Sequence, residues 1–123
     1  MILVDTSVWI DHFRGRMPKL DALLTGGQVL THPFVIGELA CGNLKNRAEV
    51  LSLLAHLPKA ARATDDETLR FIQNHALMGR GLGYIDMHLL ASALLSDSTL
   101  WSNDRRLHEA AQQLNLAFNS NLQ

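Results

Sequence analysis

The sequence predicts an α/β fold in which a short central parallel sheet is covered by helices on both faces. Three observations predict it. Short apolar runs rich in β-formers alternate along the chain with segments of helical periodicity, the pattern of a parallel sheet with crossover helices. The first of these runs, Met1 to Val4, is apolar throughout rather than alternating, as expected of a strand buried on both sides. At 123 residues, 47% hydrophobic and 19% charged, the chain has enough apolar material for the core of one globular domain spanning residues 1–123.

Met1 to Val4 forms the first strand and ends at Asp5. Thr6 or Ser7 then caps a helix running through Arg14, with Trp9, Ile10 and Phe13 as its apolar face. Leu20, Leu23 and Leu24 set a second helix that stops at Gly26-Gly27, and Gln28 to Thr31 makes a short strand. Pro33, with its fixed φ, opens a helix to about Leu44. A further helix covers roughly Arg47 to His56 and ends near Pro58, and Ala61 to Ala63 is a candidate short strand. Thr64 and Glu67 have the spacing of a capping box, opening a helix that the Gly79 to Gly83 segment breaks. Tyr84 to Leu95 is strongly helical, Thr99 to Ser102 a strand, Asn103 to Leu114 a helix and Leu116 to Phe118 a last short strand. No internal repeat, low-complexity tract or linker interrupts this order.

Composition narrows the class. No apolar run approaches the ~20 residues needed to cross a bilayer. The start, Met-Ile-Leu-Val-Asp, lacks the basic region and cleavage site of a signal peptide. A cytoplasmic protein without a membrane partner is the expectation. Cys41, the single cysteine, allows neither an intrachain disulfide nor a multi-thiolate zinc site and is expected to be a small buried hydrophobe. A net charge of −1 does not point to a polyanionic partner, but setting aside four acids of one site leaves +3 on the rest of the chain, which permits RNA binding.

Of the 12 acidic residues, eight fit ordinary surface roles. Asp11 can pair with Arg14, and Asp21 lies on the polar side of its helix. Asp65, Asp66 and Glu67 occupy a helix start, where the dipole favours acids. Asp97 falls in a turn, and Glu49 and Glu109 have polar neighbours. The other four are placed where an acid is costly or functional. In open α/β sheets, function sits beyond the carboxyl ends of the strands. Asp5 follows the first strand directly and Asp104 follows the Thr99 to Ser102 strand by two residues, so both should project from the same edge. Glu38 has Phe34, Val35, Cys41 and Gly42 three and four positions away and is expected to face inward. Asp86 heads a buried stripe continued by Leu89, Leu90, Ala93 and Leu94.

Taken singly, Glu38 and Asp86 fit a structural hydrogen-bonding role. Taken with Asp5 and Asp104, they form a cluster with no nearby lysine to neutralise it. Two carboxylates ~4 Å apart repel by about 4 kcal/mol at an effective dielectric near 20. A divalent metal relieves that repulsion, and an all-oxygen ligand set suits Mg²⁺ or Mn²⁺ better than zinc. Such a site can activate water and stabilise charge on phosphorus, so phosphodiester hydrolysis is the natural reaction. Asp5 and Asp104 are the principal candidate ligands. Asp86 would act directly or through water, and Glu38 as a ligand or as the group orienting the attacking water. Thr6, Ser7, Ser102 and Asn103 could orient these carboxylates or hold a phosphate, and ordinary helix capping accounts for them equally well.

Four segments in order, Ile2-Leu3-Val4-Asp5-Thr6-Ser7-Val8-Trp9-Ile10-Asp11, Gly37-Glu38-Leu39, Gly83-Tyr84-Ile85-Asp86, and Leu100-Trp101-Ser102-Asn103-Asp104-Arg105-Arg106-Leu107, resemble the PIN domain. More closely, they resemble the VapC-type toxins of prokaryotic toxin–antitoxin pairs. The resemblance spans nearly the whole chain, with Ser102 where the family often has threonine. It implies a PIN-like α/β/α sandwich and Mg²⁺- or Mn²⁺-dependent cleavage of RNA. It also implies homodimerisation and inhibition by a small cognate antitoxin over the active site. The family's acidic positions fall on Asp5, Glu38, Asp86 and Asp104.

Two rival classes fit the sequence less well. A receiver domain of a signalling relay requires a phospho-accepting aspartate after a central strand, and Leu51 to Leu57 contains no acid. A catalytically silent PIN-like module binding RNA or protein is opposed by the intact quartet. Gly79-x-Gly81-x-Gly83 lacks the preceding strand and the spacing of a dinucleotide loop and is a helix stop. His108-Glu109 lacks the second histidine of a zinc protease, and the six histidines form no ligand pair. Trp9 and Trp101 are expected in the core. Arg14, Arg16 and Lys19, and Arg105-Arg106 near the site, are solvated surface by default, with phosphate contact as a second role.

Overall fold

The computed structural model describes residues 1–119. Its elements run β1 (Ile2–Val4), α1 (Thr6–Arg14), α2 (Pro18–Thr25), β2 (Val29–Leu30), α3 (Pro33–Cys41), α4 (Arg47–His56), α5 (Asp65–Asn74), α6 (Tyr84–Leu95), β3 (Thr99–Trp101) and α7 (Arg105–Gln113). The three strands form a parallel sheet in the order β2-β1-β3. Ile2 stands opposite Val29 on one side and Thr99 on the other, and Val4 opposite Trp101. Every residue of β1 is buried, so both faces of the central strand are covered, as expected of parallel pairing with helical crossovers.

Single parallel bridges widen the sheet at each edge, Thr31 with Lys59 and Leu100 with Ala117. The expected strand at Ala61 to Ala63 is therefore not formed. The extended pairing falls at Lys59, where Ala60 N–H donates to Thr31 O and Thr31 N–H to Pro58 O, both at 2.8 Å. Leu116 to Phe118 likewise contributes a bridge rather than a strand.

Trp9, Trp101, Leu3, Leu89, Leu90 and Leu107 are among the largest fully buried side chains, and both tryptophans are core residues as expected. α3 stops at Cys41 rather than near Leu44, because the chain leaves the helix in an extended conformation at Gly42. Cys41 is consequently exposed, not buried. α5 ends at Asn74, well before the glycines. Ala76 adopts φ 52°, Leu77 N–H reaches back to Ile72 O, and the buried Leu77 draws the chain off the helix axis.

Candidate active site

β1 and β3 lie side by side and end together, which sets Asp5 beside the segment Ser102-Asn103-Asp104. The junction is tied by the backbone, with Asp5 N–H donating to Trp101 O at 2.9 Å. Asp5 is the N-cap of α1, a role assigned from sequence to Thr6 or Ser7. Asp104 is the N-cap of α7, accepting from Leu107 N–H at 3.0 Å, so that helix starts after Asp104 and not at Asn103. Asp86 occupies the third position of α6 and accepts Gly83 N–H at 3.1 Å. Three of the four acids thus stand at helix N-termini, where free N–H groups and the dipole stabilise a negative charge. Glu38 is the exception, in the second half of α3.

Asp5 is the most enclosed, 5% exposed. Its Oδ2 accepts Ser7 Oγ–H at 2.6 Å and Ser102 Oγ–H at 2.9 Å. Each serine oxygen in turn accepts a backbone N–H, Ser7 from Asn103 at 2.9 Å and Ser102 from Asp104 at 3.0 Å. Glu38 Oε1 accepts Thr6 Oγ1–H at 2.8 Å, joining α1 to α3. Asn103 does not turn its amide toward the cluster but donates from Nδ2 to Asp11 at 2.7 Å. Asp11 was expected to pair with Arg14. No sequence signal marks its contact with Asn103, since the two lie 92 residues apart.

Asp86 titrates above its ordinary value of 3.8. Burial is the main cause, opposed by the Gly83 N–H and reinforced by the negative charges of Asp5, Asp104 and Glu38. All three other acids therefore lie within electrostatic reach of Asp86. Asp104 and Glu38 are exposed and Asp86 is half-buried. The inward placement expected for Glu38 is not found. The buried face of α3 is carried by Val35 and Leu39, and Glu38 sits at its edge beside the side-chain-free positions Gly37 and Gly42.

Among the described residues, no three acidic, histidine or cysteine side chains are positioned to hold one ion as they stand. What fits a hard divalent cation is the donor chemistry. Each of the four carboxylates commits one oxygen to the scaffold. Among the described residues the other oxygen, Asp5 Oδ1, Glu38 Oε2, Asp86 Oδ1 or Asp104 Oδ2, accepts no hydrogen bond. The all-oxygen set and its concentrated negative charge match Mg²⁺ or Mn²⁺ by type.

Beside the cluster, Glu38 forms part of the wall of a groove of about 690 Å³. Ile10, Phe13, Leu39, Leu44 and Val50 give the groove an apolar floor, with Arg14 and Lys45 at its margin.

Comparison with known proteins places these features in a family context. A family model described as the PIN domain matches residues 2–113. The chain is 47% identical over 118 residues to Ribonuclease VapC32 of Mycobacterium tuberculosis, found in two strains, with 95% of each chain covered. The fold resembles that of FitAcB from Neisseria gonorrhoeae, with a TM-score of 0.65 at 20% identity over 97% of both chains. It also resembles PAE2754 from Pyrobaculum aerophilum, with a TM-score of 0.60 at 19% identity, covering 92% of this chain and 85% of that one.

Proposed function

The chain belongs to the PIN-domain family and, within it, to the VapC-type ribonucleases, and on that premise we propose that it is the endoribonuclease toxin of a toxin–antitoxin pair. It hydrolyses RNA phosphodiester bonds with the help of a divalent metal, Mg²⁺ or Mn²⁺. The observation that carries this reading is geometric: β1 and β3 end side by side and bring Asp5 next to the segment of Asp104, each acid keeping one oxygen free of the scaffold. Asp86, whose pKa is raised first by burial and then by the charges of Asp5, Asp104 and Glu38, lies within reach of them. Such a concentration of negative charge favours a cation at the cluster.

Asp5, Asp86 and Asp104 would hold the metal. When bound, it supplies activation of water and stabilisation of charge on the phosphoryl oxygens. The chain's own residues do the positioning. Ser7 and Ser102 fix Asp5 through two hydroxyl donors and link it to the backbone that carries Asp104. Thr6 fixes Glu38, whose second oxygen is available to orient the attacking water and take its proton. Asp5, Glu38, Asp86 and Asp104 are accordingly the proposed catalytic set, with Thr6, Ser7 and Ser102 as positioning residues. Asn103 reaches the cluster through its backbone N–H to Ser7, while its side-chain amide is held by Asp11.

The proposed partners are the RNA substrate, a small antitoxin and a second copy of the chain. The apolar groove walled by Glu38 supports the antitoxin part, because a peptide seated there would lie against one of the four acids. Leu53, Leu69, Met78, Leu94 and Leu95 are exposed and offer apolar surface for self-association. Among the described residues, no helix is long and apolar enough to cross a membrane.

The deciding experiment incubates purified protein with cellular RNA in Mg²⁺, Mn²⁺ or EDTA, maps the cut ends, and runs Asp5→Asn prepared in parallel. Defined 5′ and 3′ ends that need the metal and vanish in Asp5→Asn are expected. Equal cutting by Asp5→Asn would sink the site assignment, and no cutting by the wild type would favour a silent binding module.

A further inference from the structure

This inference rests on the reading of the chain as an RNA-cutting enzyme. A phosphodiester approaching Asp5, Glu38, Asp86 and Asp104 meets four negative charges, so a fixed cation at the rim of the cluster would aid its approach. Two arginines follow Asp104 directly. Arg105 is already paired, its Nε donating to Glu109 Oε1 at 3.0 Å. Among the described residues, the Arg106 side chain makes neither a hydrogen bond nor an ion pair.

What holds Arg106 is a shelf. Its side chain lies against Gly81, where a Cβ would fall 2.5 Å from Nη1, 3.0 Å from Cζ and 3.1 Å from Cδ. Gly81 has φ +77°, a conformation that also favours glycine. Gly81 is two residues before Gly83, whose N–H is bound by Asp86, and Arg106 is two residues after Asp104 in α7. The guanidinium therefore spans the two segments that deliver Asp86 and Asp104, exposed and without a carboxylate partner. Its planar fork of donors suits two oxygens of one phosphate. The glycine-rich segment, a helix stop by sequence, acquires a reason for having no side chain at Gly81.

We propose that Arg106, shelved on Gly81 between the segments carrying Asp86 and Asp104, binds an RNA phosphate beside the scissile one. The absent Cβ at Gly81, where the positive φ already favours glycine, leaves room for the guanidinium to lie there.

The probe is a synthetic RNA spanning a cleavage site mapped with the wild type. Its binding is measured in EDTA over a range of salt concentrations, and its cleavage in Mg²⁺ gives KM and kcat. Arg106→Gln is expected to raise KM about three- to ten-fold, the size of one exposed charge-assisted contact, with kcat little changed. The slope of log binding constant against log salt should become shallower by about 0.7 to 0.9, the signature of one lost phosphate contact. Arg106→Lys should keep the slope and recover part of KM, because the charge remains while the fork is lost. Gly81→Ala should raise KM in the same direction, and combining it with Arg106→Gln should add little, since both act through one guanidinium.

An unchanged slope and KM in Arg106→Gln, in an enzyme that cuts RNA, overturns this role and leaves the parent reading standing. The same holds if Arg106→Gln only lowers the melting temperature and kcat, which would mark a purely structural side chain. A wild type that cuts no RNA overturns the parent reading and this one together.

Discussion

At Asp5, one carboxylate oxygen receives two serine hydroxyls from opposite ends of the chain, Ser7 and Ser102, and both serine oxygens are themselves fixed by backbone N–H groups. Ser102→Ala removes a donor to Asp5 and leaves Asp104 N–H without its acceptor. It should cost about 1–2 kcal/mol of stability and roughly 10- to 100-fold in RNA cleavage while the fold persists. Circular dichroism and a timed cleavage assay check both parts. At Asp86 the charge itself is unfavourable in the metal-free protein, because burial and three neighbouring acids disfavour the anion. Asp86→Asn keeps an acceptor for Gly83 N–H and removes that cost, so its melting temperature in EDTA should exceed that of the wild type even as cleavage is lost. A lower melting temperature would show that Asp86 stabilises the fold as an anion.

The helix ends set where the chain turns back toward the sheet. α2, α5, α6 and α7 close alike, with a left-handed residue followed by an N–H that returns to the last turn. Three of those left-handed positions are Gly27, Asp97 and Asn115, residue types that tolerate the conformation. The fourth is Ala76, at φ 52°. An L-residue with a Cβ is strained there by about 1–2 kcal/mol, partly offset by the greater freedom of glycine when unfolded. Ala76→Gly should therefore gain roughly 0.5–1 kcal/mol, read as a raised urea midpoint with an unchanged m-value.

The start of α3 adds a pH dependence. His32 caps it, with Nδ1 accepting Phe34 N–H at 3.0 Å and Nε2 left to donate to Ser92 Oγ at 3.1 Å. Burial first, then the charges of His88 and Arg62, lower its pKa from 6.5 to about 4. Between those values the unfolded chain binds the extra proton and the folded one does not. The stabilising contribution is thus complete above pH 6.5 and is lost as pH falls toward about 4. His32→Asn, whose side chain caps without titrating, should lose less stability over that interval than the wild type. Parallel curves for the two proteins would remove His32 as the cause.

Over the whole molecule, the parallel sheet brings the acids that follow β1 and β3 together with those of α3 and α6, and the resulting charge should couple metal binding to folding. Millimolar Mg²⁺ or Mn²⁺ should raise the melting temperature of the wild type, and much less that of Asp5→Asn/Asp104→Asn, since a ligand stabilises only the state that binds it. Equal shifts would place the metal elsewhere. With the metal present, the order of stability between wild type and Asp86→Asn should also narrow or reverse, because the cation offsets the repulsion that penalises the wild type.

The sequence by itself determined the α/β class, the order of the elements, both core tryptophans and the Thr64 to Glu67 capping box. These are signals of local periodicity, capping chemistry and apolar content. It also singled out Asp5 and Asp104 from the strand ends, Asp86 from the head of a helical stripe, and Glu38 from an inward placement that the structure does not show. Only the tertiary structure decided what each acid touches. Glu38 was expected to be buried because its helical neighbours are apolar, yet glycines at positions 37 and 42 cover nothing and the buried side of α3 is Val35 and Leu39. The N-cap role of Asp5, the Asp11 contact with Asn103 and the seat of Arg106 on Gly81 were equally hidden. Each depends on where a strand ends beside its neighbour or on an approach between segments far apart in sequence, and hydrophobic periodicity encodes neither.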